Sequence, residues 1–291
     1  MTTLSGALLL DKPPGITSAQ AVSCIKRLLP RKTKVGHTGT LDPLASGLLV
    51  LLIGRATRLS RYVTGLDKSY IATARFGAVS DTLDADGNIR PLEDAPMPRA
   101  ATIRAATEHF TGQILQTPPM ASAVRVGGVR LYKALRRGET VAREPRPATV
   151  HSLSLSGLDP GTRTATFEIS CGSGTYVRTL VSDLAEFLGT GAYLTALRRT
   201  HVGHLDIRDT ESPGDLESET LFTRIIHVEE VLSHLPKVEV SGEEWPTVCN
   251  GGRLAAFGVR GSYRVEARGV LLAVYRDEGE VARAEVVLCM G

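Results

Sequence analysis

Apolar and polar residues alternate with a period of two along KSYIATARFG (68–77), placing Tyr70, Ala72 and Ala74 on one side and Ile71, Thr73 and Arg75 on the other. That period predicts a strand. GALLLDKPPG (6–15) predicts a short strand closed by a Pro-Pro-Gly turn, and ATFEISC (165–171) and AYLTALRRT (192–200) predict two more. Helical periods lie between them. TSAQAVSCIKRLL (17–29) opens with Thr17 and Gln20 in capping-box spacing, in which each side chain satisfies an orphan amide of the other's backbone. RATRLSRYV (55–63) also reads as helical. In GTYVRTLVSDLAEFLG (174–189), Val177, Leu180, Val181, Leu184 and Leu188 recur on one face until Gly189 stops the helix. Strands and helices follow one another without a regular βαβ alternation, which predicts an α+β fold and not a doubly wound sheet.

The pattern changes near residue 236. VEARGVLLAVYRDEGEVARAEVVLCM (265–290) reads as strand-like runs broken by Asp-Glu-Gly, with Trp245 and the pair Gly251 and Gly252 ahead of it. This predicts a small β-rich domain at 236–291 after a larger one at 1–235. A chain of 291 residues is long enough for about two domains, and 42% hydrophobic residues can fill their cores. The longest apolar run, LLVLLI (48–53), is far below the ~20 residues of a membrane span. The ALLL near the start lacks a basic leader and a cleavage site. The expectation is a soluble, cytoplasmic protein with no membrane partner.

Net charge is +3, but it is unevenly spread. KRLLPRKTK (26–34) carries five basic residues and no acidic one, and 125–146 carries seven, Arg125, Arg130, Lys133, Arg136, Arg137, Arg143 and Arg146, against Glu139 and Glu144. Between Asp206 and Glu230 the balance reverses, with eight acidic residues and two arginines. Any one such run reads as a solvated face. Several basic runs with an acidic counterpart elsewhere suit a polyanionic partner, and the reading they favour is nucleic acid.

Candidate chemistry concentrates in GHTGTLDPLASG (36–47). Gly, Thr, Asp and Pro bend a chain, so Asp42 before Pro43 fits a capped turn. A turn specifies about four residues, whereas this segment packs together His37, Asp42 and the glycines Gly36, Gly39 and Gly47, which permit close approach of another group. Cofactor signatures are missing: there is no GxxxxGK[ST], GxSxG or HExxH, and GTGAYL (189–194) lacks the third glycine of a dinucleotide fingerprint. DTLDADGNIRPLE (81–93) has Asp84, Asp86, Gly87 and Glu93 in calcium-loop spacing, but Thr82 at its first position and Pro91 at its end favour a turn between strands. Cys24, Cys171, Cys249 and Cys289 are widely spaced without a CxxC pair, which predicts neither a zinc site nor a disulfide framework but buried small side chains. No metal is expected.

GHTGTLDPLASGLL resembles the catalytic-aspartate motif of the TruB-type tRNA pseudouridine synthase family. LLLDKPPGITS, KSYIATARFG, DTLDADG, QTPPMASAVRVGGVRLYKALRRG, CGSGTYVRTLVSDLAEFLG and YLTALRRTHVG resemble successive family blocks in the same order, over most of residues 7–205. The resemblance implies the pseudouridine-synthase fold, α+β with a mixed, largely antiparallel central sheet, and a C-terminal segment similar in place and size to the family's RNA-binding PUA domain. It implies isomerisation, by base flipping, of the T-loop uridine at tRNA position 55, a reaction that needs no cofactor.

The same resemblance assigns roles. Asp42 is the essential carboxylate, Arg178 the cation that keeps it ionised, Tyr70 the ring that stacks on the target base, and Leu197 the apolar residue closing the pocket. His37 stands where the flipped base leaves a gap. Arg125, Arg130, Lys133, Arg136 and Arg137 belong to a thumb-like insertion at about 120–150 that closes on the RNA. The implied partner is the T-arm stem-loop of tRNA, with no obligatory protein partner or guide RNA. A different class of function, a non-catalytic RNA-binding or tRNA-folding protein on the same fold, would need the basic surface but not the Asp42, Tyr70 and Arg178 set.

Overall fold

In the computed structural model, which describes residues 5–122, 125–126, 128–135 and 137–289, the first apolar run forms the expected strand β1 (Gly6–Lys12). Helix α1 (Ser18–Leu28) starts behind the anticipated capping box: Gln20 N–H donates to Thr17 Oγ1 at 3.1 Å and Thr17 N–H to Gln20 Oε1 at 2.7 Å. The short β2 (Val35–His37) then leads to β3 (Ser46–Ile53). The LLVLLI run had suggested no element from sequence. Its physical role is clear from the two cores it joins: Leu49, Leu51 and Ile53 pack with Leu8 and Leu10, while Leu48, Val50 and Leu52 pack with Ala7 and Leu9 on the opposite face. A strand buried on both sides shows no alternation.

The 55–63 segment begins as a tight 3-10 turn, Gly54–Leu59, before one turn of α-helix, α2 (Ser60–Thr64). The alternating segment forms β4 (Lys68–Phe76), with Tyr70, Ala72 and Ala74 buried as the period predicts. DTLDADGN is a turn joining the paired strands β5 (Ala78–Ser80) and β6 (Ile89–Pro91). Helix α3 (Ala100–His109) and β7 (Gly112–Gln116) precede the basic segment, which contains a two-strand hairpin, β8 (Arg125–Val126) and β9 (Val129–Arg130), and one helical turn, α4 (Leu131–Leu135). Long strands β10 (Arg146–Asp159) and β11 (Thr164–Cys171), helix α5 (Val177–Phe187) and strand β12 (Ala192–Val202) complete the main sheet. After it come β13 (Leu205–Asp206) and the short helices α6 (Ser218–Leu221) and α7 (Val228–Val231).

The sheet order is β1-β3-β12-β4-β11-β10-β7, with β2 on β3 and β13 on β12. Every pairing is antiparallel except β3 with β12. Helices α1, α3 and α5 cover one face through Ile25, Ile103, Leu180 and Leu184. On the other face the 3-10 turn, α2 and α7 contribute Leu59, Val63 and Val231.

Strands β14 (Lys237–Glu239), β15 (Leu254–Ala255), β16 (Ser262–Ala267), β17 (Val270–Glu278) and β18 (Val281–Val287), with helix α8 (Trp245–Cys249) between β14 and β15, make the C-terminal β-rich unit. Its sheet order is β14-β16-β17-β18-β15 around Tyr263, Val265 and Tyr275. This unit shares apolar surface with its neighbour, since Leu271, Val274 and Val286 enter the same core as Leu48 and Val50. The cysteine expectation is corrected here. Cys249 and Cys289 form a disulfide, because the sheet register returns the end of β18 to the end of α8 across 40 residues of sequence, a proximity that spacing alone does not report. Cys24 and Cys171 are free.

Candidate active site

Asp42 sits in the turn between β2 and β3, and that turn is tied down from three directions. Ser18 at the start of α1 donates its hydroxyl to the Leu41 carbonyl at 3.0 Å and accepts the Leu41 N–H at 2.9 Å. Gly15 N–H reaches the Pro43 carbonyl at 2.8 Å. Beneath the turn, the buried Arg199 of β12 donates to the carbonyls of Leu48 at 2.7 Å and Gly39 at 3.1 Å. With backbone and Ser18 holding the loop, the Asp42 carboxylate is left for Arg178, whose Nη2 stands 2.9 Å from its Oδ2.

Arg178, the second residue of α5, is 95% buried, and both its terminal nitrogens are engaged. Its guanidinium also donates to the carbonyls of Thr82 at 2.8 Å and Ala121 at 2.7 Å and lies 3.4 Å from the buried carboxylate of Asp84. Two carboxylates and two carbonyls offset the unfavourable position of a cation at a helix N-terminus. Burial pushes the Asp42 carboxyl above the usual aspartate range; Arg178 opposes this and Asp84 adds to it. Even so, 37% of the Asp42 side chain stays exposed, opening into a cleft of about 1570 Å³.

The strand pairing sets the cleft floor. In the β4–β12 register Tyr70 stands opposite Arg199 and Ala72 opposite Leu197, so the ring and the leucine share one buried surface beside Asp42. Burial pushes the Tyr70 phenol up, with the Arg199 charge acting the other way. His37 lines the same cleft. Its Nδ1 is buried without a hydrogen-bond partner among the described residues, and burial together with Arg199 lowers its pKa, so the ring is neutral at neutral pH.

The structure therefore brings Asp42, Tyr70, Arg178, Leu197 and His37 around one cleft, to which Ala121, Ser122 and Leu135 of the 120–150 segment also contribute. Arg137 lies nearby in sequence, exposed and paired with Glu139 at 2.8 Å. Arg125, Arg130 and Lys133 have described backbone only, and Arg136 lies outside the described residues. Sequence reasoning missed Asp84, which it weighed only as part of a calcium-like loop, and the buried cations Arg199, Lys68 and Lys12. Lys12 and Lys68 are each lowered to about 8, chiefly by burial. The only sequence signal for any of them is charge in an otherwise apolar strand, as in LLLDK and LTALRR. Among the described residues no group of three or more His, Cys, Asp or Glu is arranged to hold a metal, and no helix is long and apolar enough to cross a membrane.

An arginine-clamped aspartate in the turn between β2 and β3 thus lines one large cleft with a tyrosine of β4 and a leucine of β12, the two strands at the centre of the mixed sheet. The fold is similar to an H/ACA ribonucleoprotein bound to a substrate RNA containing 2'-deoxyuridine, at 24% identity and a TM-score of 0.74 over 98% of this chain and 85% of the other. It is similar also to a Cbf5–Nop10–Gar1 complex, at 25% identity and a TM-score of 0.73 over 97% and 84%. Residues 26–177 match the model of the TruB family pseudouridylate synthase N-terminal domain, and residues 178–235 that of the tRNA pseudouridylate synthase B C-terminal domain. The chain is 43% identical to the tRNA pseudouridine synthase B of Burkholderia mallei (strain NCTC 10247), over 86% of this chain and 83% of the relative. It is 40% identical to that of Aromatoleum aromaticum, over 95% and 90%. The chain belongs to the TruB family of pseudouridylate synthases and is an isomerase.

Proposed function

We propose that this chain converts the T-loop uridine at position 55 of tRNA to pseudouridine, acting in the cytoplasm without guide RNA or partner protein. The observation that carries the reading is Asp42 itself: a carboxylate clamped by Arg178 yet still open to a cleft of about 1570 Å³, larger than the pockets of up to about 1,000 Å³ typical of small ligands and roomy enough for a flipped nucleotide. The reaction conserves every atom of the substrate. The uracil–ribose C–N bond breaks, the base turns, a bond from C5 to the same ribose carbon forms, the C5 proton is released, and the freed ring nitrogen takes up a proton, so the product is an isomer of the substrate.

Asp42 serves this sequence as an ionised group, either attacking directly or assisting elimination and re-addition at the ribose. Arg178 orients it and favours its charged form. Tyr70 stacks on the flipped base; burial favours its neutral phenol while the charge of Arg199 favours the phenolate, the form that takes the C5 proton and returns to the phenol. Leu197 closes the opposite side. His37, neutral and with a free ring nitrogen, fits the gap that the flipped nucleotide leaves in the T-loop stack. The thumb residues Arg125, Arg130, Lys133, Arg136 and Arg137 supply phosphate contacts, and the C-terminal unit acts as a PUA-like RNA-binding domain over 236–291.

A non-catalytic binder has no use for a carboxylate desolvated beside an arginine in a cleft meant for a polyanion. The test is to incubate the protein with two unmodified tRNA transcripts, one with uridine and one with cytidine at position 55, and map pseudouridine along each. One pseudouridine in the first transcript and none in the second is expected. Pseudouridine elsewhere, or in neither, would overturn the assignment.

A further inference from the structure

The 3-10 turn Gly54–Leu59 and helix α2 do two things at once. They form one wall of the cleft through Arg58 and Arg61, and they form the surface on which β18 of the C-terminal unit is docked. Arg55 donates to the carbonyls of Leu288, at 3.2 Å, and Cys289, and Arg58 donates to that of Val287 at 2.5 Å. The next two residues on the wall that face this strand meet a carboxylate. Glu285 accepts the Tyr62 hydroxyl at 2.8 Å, the Ser262 hydroxyl at 2.6 Å and Arg276 Nε at 3.0 Å, and its Oε2 lies 3.1 Å from Arg61 Nη2.

Arg61 is held a second time by Tyr62, lying 4.7 Å over the ring and donating to its hydroxyl at 2.5 Å. Burial works against the charge of Glu285, yet the hydrogen bonds from Ser262, Tyr62 and Arg276 and the charge of Arg61 outweigh it and hold the carboxyl below its usual range. Tyr62 is pushed up to about 12 by burial and stays a donor at every working pH. Although bound on one edge, the Arg61 side chain remains 54% exposed. A guanidinium has five N–H donors; both contacts use Nη2, leaving Nε and Nη1 without a partner among the described residues on a side chain that lines the cleft.

We propose that Glu285 is a positioning residue for substrate binding: from the C-terminal unit it holds Arg61 on the cleft wall, where the free edge of the guanidinium meets a backbone phosphate of the RNA. An arginine already fixed in place loses little side-chain freedom on binding, which is where a flexible surface arginine forfeits most of its gain. The C-terminal unit thus contributes to affinity through the catalytic unit's own arginine. This rests on the reading of the chain as an RNA-modifying enzyme.

The sign of one mutation separates this role from plain electrostatics. A carboxylate near bound RNA repels phosphate, so removing its charge should tighten binding if charge were all that mattered. Positioning predicts the opposite. The experiment measures binding of unmodified tRNA transcript over a range of salt, with steady-state kinetics, for the parent, Glu285→Gln, Arg61→Ala and the double variant. Glu285→Gln keeps the size and an acceptor oxygen for Tyr62 and Ser262, and Arg61 is exposed, so its replacement leaves the fold intact.

Each single change is expected to raise Kd about three- to tenfold, and Arg61→Ala to lower the slope of log affinity against log salt by about one. The double variant should bind no more weakly than the weaker single, with the loss falling on KM and not kcat. Unchanged or tighter binding by Glu285→Gln, additive effects, or an Arg61→Ala variant with parental Kd and slope would overturn the proposal. A parent chain that binds no tRNA would instead overturn the functional reading on which it stands.

Discussion

Arg178 holds Asp42 and Asp84 with one guanidinium, Nη2 at 2.9 Å from the first carboxylate and Nη1 at 3.4 Å from the second. The two carboxylates differ in what else they face. Asp84 is buried and accepts the Thr82 hydroxyl at 2.6 Å and the Asp86 N–H at 3.2 Å, so it anchors the arginine, whereas Asp42 opens to the cleft. A point cation cannot make this set of contacts, because only the planar fork reaches two carboxylates and two carbonyls together. Arg178→Lys is therefore expected to lower the single-turnover rate by about 10²-fold or more. Arg178→Ala should in addition destabilise the fold by about 3 kcal/mol by leaving Asp84 buried and unpaired. Urea unfolding and rapid-quench kinetics on the two variants check both outcomes; a lysine variant with parental rate would mean that charge alone suffices.

Asp42 gives a pH dependence whose sign follows from its surroundings. Burial and Asp84 raise its pKa against the opposing pull of Arg178. A carboxyl raised in the folded state holds its proton more tightly there than in the unfolded chain, so stability falls as pH rises from the ordinary aspartate range through the raised value. Asparagine at 42 escapes that loss. Asp42→Asn should melt at the parent's temperature or above it at neutral pH, with the gain vanishing below the aspartate range. The parent's single-turnover rate should fall as pH drops through the raised pKa, since the protonated acid neither attacks nor accepts a proton. Melting curves and rates across pH test this, and a variant that melts several degrees below the parent at neutral pH would contradict it.

How much of this was legible in the sequence depended on which interactions are local. The capping box of Thr17 and Gln20, the alternation of Tyr70, Ala72 and Ala74 and the face of α5 depend on neighbours a few residues away, and they appear as expected. Strand β3 was silent because it is buried on both faces. Asp84 meets Arg178 across 94 positions, and Cys249 meets Cys289 only through the sheet register, so neither pairing leaves a local trace. The grouping of Asp42, Tyr70, Arg178, Leu197 and His37 came from family resemblance, because no spacing rule links a turn, three strands and a helix end.

Gly47 is the place where the motif's glycine content has a steric cause. It has a φ of 102°, and a Cβ there would stand 2.3 Å from the carbonyl oxygen and 2.7 Å from the nitrogen of Arg199, where β3 runs parallel to β12. Gly47→Ala is expected to destabilise the protein by about 3 kcal/mol or more and to lower activity by displacing the strand that carries Leu197 and Arg199. Gly36, with open space around a Cβ, provides the control. Gly36→Ala should unfold within about 1 kcal/mol of the parent in denaturant; equal losses at both positions would remove the steric explanation.

The Cys249–Cys289 disulfide closes a loop with a sequence separation of 40. Constraining a loop of that length in the unfolded chain contributes about 4 kcal/mol. The double serine variant should lower the unfolding midpoint of the C-terminal unit and speed its proteolysis, and reduction of the parent by dithiothreitol should reproduce both effects. A double variant as stable as the oxidised parent would show that the bridge constrains nothing.

The most direct test of the account is Asp42→Asn assayed for single-turnover pseudouridine formation beside a binding isotherm on the same unmodified tRNA. The amide keeps the shape of the turn, which Ser18, Gly15 and Arg199 hold independently of the carboxylate. It is neither a competent nucleophile nor a base, and it carries no charge for Arg178 to orient. The expected result is a folded protein that binds tRNA within about tenfold of the parent, equivalent to about 1.4 kcal/mol, and forms no pseudouridine. Undiminished pseudouridine formation by Asp42→Asn would contradict the account and return Asp42 to the role of a turn residue.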